Sequence, residues 1–302
     1  MTAIGTIDFP AQNPAAAGEA VVRNARALIE KTRAAHPDWI PPPFDPGLYA
    51  AVLGIPVHYE STPQDWDAVF VPLPGRRRII INARVRSTGR RRFSLAHEIA
   101  HSWFDDPSGA RYFLRTLDRK AYESDPASAA LEKCCDAGAA ELLMPQPWFG
   151  EELMQCGLGA AAVPEIAGRF AVSLEAAALR IVETREAETA IGFFEFVPPA
   201  PRSGGHGRGD MRPESGCYRV RRLFKSGGFP FLFPARKSVP ASSAIYRSSL
   251  GQKEIFGTED FELGPIRARL CVSAFPIYGK RRTDCPPPVC AVFEEETHSG
   301  GR

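Results

Sequence analysis

Two histidines with a glutamate between them are the residues most able to do chemistry. His97, Glu98 and His101 stand in the order His-Glu-Ile-Ala-His. Residues four apart on a helix lie on one face, with about 5–6 Å between their Cβ atoms. Two imidazoles at this spacing can bind one metal ion, and the adjacent glutamate can act as general base toward a metal-bound water. The pattern predicts a metal-dependent hydrolase that uses Zn²⁺, with Mn²⁺ or Fe²⁺ as alternatives that these ligands also accept.

A catalytic zinc site of this kind needs a third protein ligand. Glu132 would complete a two-histidine, one-glutamate set. Asp136 lies one helical turn further on and could accept a hydrogen bond from the distal nitrogen of a metal-bound histidine. Glu132 is the preferred third ligand, and its alternative is a carboxylate on a solvated helix face. The rival ligands are Cys134, Cys135, Glu123, Asp105 and Asp106.

The histidines could instead be ordinary core residues. The segment around them is mostly apolar, with Phe93, Leu95, Ala96, Ile99, Ala100, Trp103 and Phe104. Because buried histidine and glutamate side chains cost free energy unless they have partners, a shared metal ion is the preferred explanation.

The elements that position these residues follow from periodicity and turn signals. An amphipathic helix is predicted from Gly18 to about His36, and a second helix from Arg91 to about Phe104 carries the histidines. A β-hairpin with its turn near Gly75 precedes the histidine helix. Another helix is predicted over 129–144, where Pro145 ends it. Three short helices are expected over 148–185, followed by a linker rich in proline and glycine.

The segments FSLAHEIAH (93–101) and LEKCCDAGAAELLMP (131–145) resemble the ImmA/IrrE family of metallopeptidases. The resemblance covers about residues 15–185 and is strongest to the members that regulate the response to radiation and DNA damage. It implies that His97, His101 and Glu132 bind the metal and that Glu98 is the catalytic acid and base. It also implies a protein substrate, an XRE-like helix-turn-helix repressor whose cleavage releases stress-response genes. Asp136 replaces the more common asparagine and keeps an acceptor there.

The predicted fold class is α+β, and 302 residues suggest two or three domains with connecting segments. The resemblance implies a zincin-like metallopeptidase domain, made of helices and a small sheet, over 1–147. A helix-turn-helix-like segment over 148–190 and a flexible linker over 191–216 follow. A GAF-like α/β domain over 217–302 completes the predicted organisation.

An arginine-rich run leads into the histidine helix. Residues 76–92 contain eight arginines and no acidic residue. Arg90, Arg91 and Arg92 are predicted to steer an acidic part of a partner protein, or DNA, toward the site. The alternative is a solvated hairpin face.

Direct DNA binding is not favoured by charge or by the helix-turn-helix segment. The chain has 37 basic and 35 acidic residues, which gives a net charge of +2. Residues 163–183 read as helix, turn, helix, but Leu174, Glu175, Ala176 and Ala177 begin the second helix and offer no base-reading side chain. A DNA-binding regulator that acts without proteolysis remains the alternative function. A sensor or scaffold with a vestigial metal site is a further one.

The cysteines and the hydropathy indicate a cytoplasmic protein with reduced thiols. Seven cysteines, two of them adjacent, do not suit a disulfide framework. The first residues lack the pattern of a signal peptide, and 18 consecutive apolar residues occur nowhere in the sequence. No membrane partner is therefore expected.

Overall fold

The computed structural model describes residues 4–8, 13–63, 66–73, 77–104, 119–157, 159–185, 187–198, 216–234, 237–263, 266–277 and 286–295. The chain forms two compact units. Unit 1 comprises 1–149 with 168–173, and unit 2 comprises 150–167 with 174–302.

Unit 1 begins with two capped helices. The first, α1, spans Pro14–Ala35, and the Asn13 side chain accepts a hydrogen bond from the Ala16 N–H at its start. The second, α2, spans Pro46–Val52 and is capped by Asp45. As the periodicity predicts, α1 buries one face, which consists of Ala17, Val21, Asn24, Ala25, Leu28, Ile29 and Thr32.

A three-stranded sheet follows, with β1 at Val57–Glu60, β2 at Ala68–Val71 and β3 at Arg78–Asn82. The strand order is β1-β3-β2. Strands β2 and β3 are antiparallel, as expected for a hairpin. Strand β1 pairs with β3 in parallel, which the sequence analysis did not predict. Strand β2 is thus an edge strand of this sheet, and its outward N–H groups need other partners.

Three further helices carry the predicted site residues. Helix α3 spans Thr88–His101, α4 spans Arg119–Ser124 and α5 spans Pro126–Leu143. Ser87 caps α3 by accepting from the Arg90 N–H, and Asp125 caps α5 by accepting from the Ala127 and Ser128 N–H groups. Both helices therefore start at fixed points in the sequence.

Gly138 permits the close packing of α5 against α1 and α3. A Cβ atom at this position would lie 2.5 Å from Val21 Cγ1 and 3.0 Å from Ala100 Cβ. Because a real side chain cannot approach that closely, the missing Cβ lets the three helices meet here. This contact brings the residues of α5 toward the histidines of α3.

Three short helices come next, as predicted: α6 at Trp148–Cys156, α7 at Ala162–Phe170 and α8 at Leu174–Thr184. A three-residue turn separates α7 from α8, and Ala171 adopts a positive φ of 52° there. A helix-turn-helix role for this segment stays a prediction.

Unit 2 contains a five-stranded antiparallel sheet. Its strands are β4 (Thr189–Val197), β5 (Cys217–Lys225), β6 (Ile255–Leu263), β7 (Ile266–Pro276) and β8 (Val289–Glu295). They lie in the order β5-β4-β8-β7-β6, and helix α9 (Ala244–Gly251) contacts β6, β7 and β8. The core is rich in aromatic side chains, namely Phe194, Tyr218, Phe229, Phe233, Phe261 and Phe293. The GAF-like assignment stays a prediction.

The boundary predicted for the linker is wrong at its start. Residues 191–197 belong to β4, which pairs with β5 on one side and β8 on the other. They form a strand because their apolar side chains fill the aromatic core, an effect that depends on partners distant in sequence. The rest of the predicted linker, from 199 to 215, lies outside the described residues.

Among the helices that the structure describes, none is long and apolar enough to cross a lipid bilayer.

Candidate metal centre

Helix α3 presents His97, Glu98 and His101 from a mostly buried segment. Glu98 is 1% exposed and His97 is 7% exposed. Their neighbours Leu95, Ala96, Ile99 and Ala100 are buried apolar residues. Ionisable groups this deeply buried require polar partners, and the structure supplies them from β2 and α5.

Two imidazoles and one carboxylate converge between α3 and α5. The Nε2 atoms of His97 and His101 are 3.1 Å apart. Glu132 Oε2 lies 3.0 Å from His97 Nε2, and Glu132 Oε1 lies 3.4 Å from His101 Nε2. An ion bound tetrahedrally at 2.0–2.1 Å holds its ligand atoms about 3.3 Å from one another. The three side chains therefore already stand at the separations that a zinc-sized ion requires.

Asp136 orients the His97 ring. Its Oδ1 lies 2.9 Å from His97 Nδ1, so a hydrogen on Nδ1 leaves Nε2 directed toward Glu132 and His101. Burial lowers the pKa of His97, but the hydrogen bonds to Asp136 and Glu132 and the nearby carboxylate charges outweigh it. The net effect raises that pKa to about 9. A positive charge is thus stabilised where a metal cation would bind.

Tyr122 is a polar contact of the centre that the sequence analysis missed. Its hydroxyl donates a hydrogen bond to Glu132 Oε1 over 2.5 Å, and its side chain is buried. Tyr122 lies on α4, ten residues before Glu132, in a stretch with no clear periodicity. Helical spacing across the turn at Asp125 gives no signal for this contact, so only the fold reveals it.

Glu98 is held by the edge strand of the unit 1 sheet. Its Oε2 accepts a hydrogen bond of 2.8 Å from the Phe70 N–H on β2. This bond satisfies one outward N–H of the edge strand and fixes the carboxylate inside the protein. A glutamate fixed beside two histidines that could bind a metal ion has the position and chemistry of a general base.

The rival third ligands differ in their position. The Cys135 Sγ lies within 4.8 Å of a ring nitrogen of both His97 and His101. The Cys134 Sγ instead faces the Pro14 carbonyl oxygen at 3.8 Å. Glu123 is exposed on α4, and Asp105 and Asp106 lie outside the described residues.

The three arginines predicted to steer a partner have different surroundings. Arg90 is exposed and pairs with the Asp67 carboxylate. Arg92 donates hydrogen bonds to the Phe44 carbonyl and, over 3.2 Å, to the Ala171 carbonyl. Arg92 therefore has a structural role within unit 1. A steering role for Arg90 and Arg91 stays a prediction.

The family model of the IrrE N-terminal-like domain (peptidase M78) matches residues 50–182. This range includes α3, α4 and α5, and thus every residue of the centre described above.

Two curated relatives carry the name "Radiation response metalloprotease IrrE". The relative from Deinococcus radiodurans is 30% identical over 178 residues, which are 58% of this chain and 51% of the relative. The relative from Deinococcus deserti is 33% identical over 162 residues, which are 54% of this chain and 53% of the relative. The chain therefore spans about half the length of the curated relatives it matches.

A solved structure described as a Mycobacterium tuberculosis transcriptional regulator is similar in fold. It superimposes with a TM-score of 0.50 at 12% identity, over 92% of this chain and 76% of the other. At this identity the likeness concerns the fold alone.

Proposed function

We propose that this chain, whose residues 50–182 match the family model of the IrrE N-terminal-like domain, is a zinc-dependent endopeptidase that cleaves a helix-turn-helix transcriptional repressor. The observation that carries the proposal is the convergence of three side chains: His97 Nε2 lies 3.1 Å from His101 Nε2 and 3.0 Å from Glu132 Oε2, and the other Glu132 oxygen, Oε1, lies 3.4 Å from His101 Nε2. These separations match those of the ligands of one tetrahedral ion.

In this proposal the two histidines and Glu132 would hold the ion, which would polarise the scissile carbonyl and acidify a water molecule. Glu98 is placed to take a proton from water at this site and to give it to the leaving amide nitrogen. Asp136 keeps His97 in the tautomer that exposes Nε2, and Tyr122 fixes the orientation of Glu132.

The substrate follows from the family resemblance. The two relatives named above are called radiation response metalloproteases. We therefore infer that this chain is a cytoplasmic enzyme that cleaves an XRE-like repressor. This cleavage would derepress genes of the DNA-damage and stress response. Arg90 and Arg91 would steer an acidic part of that repressor. The region after 148 would supply a helix-turn-helix-like segment and a GAF-like module for partner or ligand binding.

The test is co-incubation of the full chain with a helix-turn-helix repressor encoded in the same genome, with the fragments mapped by mass spectrometry. We expect one cut that a chelator abolishes. In Glu98→Gln the rate should fall by about 10²–10⁴-fold while metal binding persists, since general-base catalysis typically contributes this much. Glu19→Gln, which changes an exposed glutamate of α1, is the matched control and should cut like the wild type.

Two results would contradict the proposal. Cleavage by Glu98→Gln at the wild-type rate would remove the general base from the mechanism. Absence of cleavage with Zn²⁺, Mn²⁺ and Fe²⁺, together with a salt-dependent shift of promoter DNA by the metal-free chain, would favour the DNA-binding alternative.

A further inference from the structure

We propose that Cys135 is a fourth protein ligand of the ion, so that the resting centre has no coordination position left for water. This inference rests on the proposed metal centre and deepens it, because it adds a device that keeps the peptidase inactive.

Cys135 lies on the same face of α5 as Glu132. The two residues are three apart in the sequence, and positions i and i+3 of a helix are neighbours on its surface. The Cys135 Sγ and one ring nitrogen of each histidine all lie within 4.8 Å of one another. The Cys135 side chain is fully buried. Its thiol therefore belongs to the same enclosed group of ligand atoms as the two imidazoles.

The distances suit an ion that draws these atoms together. With ion–nitrogen bonds of about 2.0–2.1 Å and an ion–sulfur bond of about 2.3 Å, a tetrahedral site holds sulfur about 3.5 Å from nitrogen. Because the present separations are at most 4.8 Å, the sulfur–nitrogen distances need to shorten by at most about 1.3 Å, which a side-chain rotation can supply. Cys134 cannot act in this way, because its Sγ faces the Pro14 carbonyl on α1.

A fourth protein ligand changes the chemistry of the centre. Zinc sites with four protein ligands are structural, whereas catalytic sites keep one position for water. The negative charges of the Glu132 carboxylate and the Cys135 thiolate would also cancel the 2+ charge of the ion, and they would weaken its pull on a substrate carbonyl.

Activation would then require the thiolate to leave. One ion–sulfur bond would break, one ion–oxygen bond to a water molecule would form, and the sulfur would take a proton from that water. Protons and charge balance without any other reactant. A partner or substrate that shifts α5 relative to α3 would be sufficient to trigger this exchange.

The test uses the full chain loaded with Co²⁺, which gives a thiolate-to-cobalt absorption band in the near ultraviolet only when sulfur is a ligand. We expect the band in the wild type and in Cys134→Ser, the matched control from the adjacent buried position. It should be absent from Cys135→Ser, which should still bind one Co²⁺ per chain.

X-ray absorption of the zinc-loaded wild type needs no variant and should show one sulfur at about 2.3 Å from the ion. This measurement decides the matter if Cys135→Ser does not fold. One bound ion with no sulfur neighbour would overturn the proposal and leave the metal centre intact, as would loss of the cobalt band in Cys134→Ser alone. Failure of the wild type to bind an ion, or binding that His97→Ala does not weaken, would instead contradict the proposed function.

Discussion

The two units use half-buried glutamates for different purposes. In unit 1, the Glu132 carboxylate lies 3.0 Å from a ring nitrogen of His97, a titratable group that can bind a metal. In unit 2, Glu254 Oε1 accepts from the Ala161 N–H over 3.0 Å and from the Ser273 hydroxyl over 2.6 Å. The Ala161 N–H immediately precedes helix α7, so Glu254 satisfies neutral donors that the fold leaves unpaired.

This difference distinguishes a glutamate that is placed to bind a metal ion from one that stabilises the fold. Because a carboxylate that caps a helix is already satisfied, nothing more is required of it. A carboxylate between two imidazoles brings together three ligands that one cation would satisfy better than they satisfy one another. We therefore expect substitutions around the metal centre of unit 1 to change metal binding, and substitutions in unit 2 to change stability alone.

The largest effect on zinc affinity should come from replacing Glu132, and Glu254 provides the comparison in unit 2. We expect Glu132→Gln to weaken zinc affinity by at least about 100-fold, since even residues that only support a ligand typically contribute 10–100-fold. Glu254→Ala should leave zinc affinity unchanged but should lower the free energy of unfolding by about 1–3 kcal/mol through unpaired donors. Competition titration and chemical denaturation measure the two quantities. A loss of zinc affinity in Glu254→Ala would contradict the purely structural role of Glu254.

A second test compares two glycines at close contacts. In Gly138→Ala, the new Cβ would meet Val21 and Ala100 on neighbouring helices. We expect a loss of about 1–3 kcal/mol in the free energy of unfolding from overpacking, together with weaker zinc binding because α5 moves.

Gly192→Ala in β4 should be destabilising without a change in zinc affinity, since its Cβ would meet the rings of Phe194 and Phe293 in unit 2. Gly18→Ala is the control within unit 1. Nothing lies within 4 Å of a Cβ there, so this helical alanine should stabilise the chain by about 0.5–1 kcal/mol. Equal zinc affinity in Gly138→Ala and the wild type would show that close packing at this point does not set the ligand positions.

Arg92 provides a third, smaller test, because it belongs to unit 1 yet serves the fold. Its guanidinium donates to the carbonyls of Phe44 and Ala171. Arg92→Ala should lower the free energy of unfolding by about 1–3 kcal/mol, as expected for hydrogen bonds from a charged donor. Arg91→Ala, one residue earlier, should remain within about 0.5 kcal/mol of the wild type. If both variants are equally stable, the structural role of Arg92 is wrong.

The smallest expected effect is the release of a proton from His97 when zinc binds. The pKa of His97 is raised to about 9 in the metal-free protein, so at pH 7 the ring is protonated and must lose one proton when Nε2 binds an ion. In Cys135→Ser, which removes the competing thiol, calorimetry in buffers of different ionisation enthalpy should detect release of about one proton per zinc at pH 7. Release from the His97 ring should disappear well above pH 9, where the proton lost by a metal-bound water would take its place. Zinc binding at about pH 6, below the pKa of that water, without any proton release would exclude His97 as the group that loses the proton.

The raised pKa of His97 also makes the stability of the metal-free protein depend on pH. A folded-state value above the ordinary 6.5 means that its contacts with Asp136 and Glu132 stabilise the metal-free protein fully below about pH 6.5. That contribution is lost as the pH rises through about 9. Unfolding of the metal-free chain should therefore become easier over this interval.

The parts of the centre that lie within single helices could be predicted from sequence. His97 and His101 are four apart on α3, and Glu132 and Asp136 are four apart on α5, so helical periodicity places each pair. The proline after α5 is also a local signal. The caps at Ser87 and Asp125 were missed, so the two helices were predicted to begin near Arg91 and 129 instead of at Thr88 and Pro126. The convergence of the two helices was predicted from the need for a third metal ligand and from the family resemblance, because no spacing rule joins α3 to α5.

The features that were missed depend on contacts between distant segments. Tyr122 reaches Glu132 through the packing of α4 against α5, and no spacing rule encodes that contact. Residues 191–197 were placed in a linker because their strand partners lie at 217–225 and 289–295. Arg92 looked like part of a basic run, but burial beside two carbonyls decides its role. Tertiary context overrides local pattern in each case.

The most direct test of the account is anomalous diffraction at the zinc absorption edge from crystals of the zinc-loaded full chain. The account predicts one ion bound by His97 Nε2, His101 Nε2 and a Glu132 oxygen at about 2.0–2.2 Å. An ion bound elsewhere, or histidines that still contact each other and Glu132 with no ion between them, would contradict it.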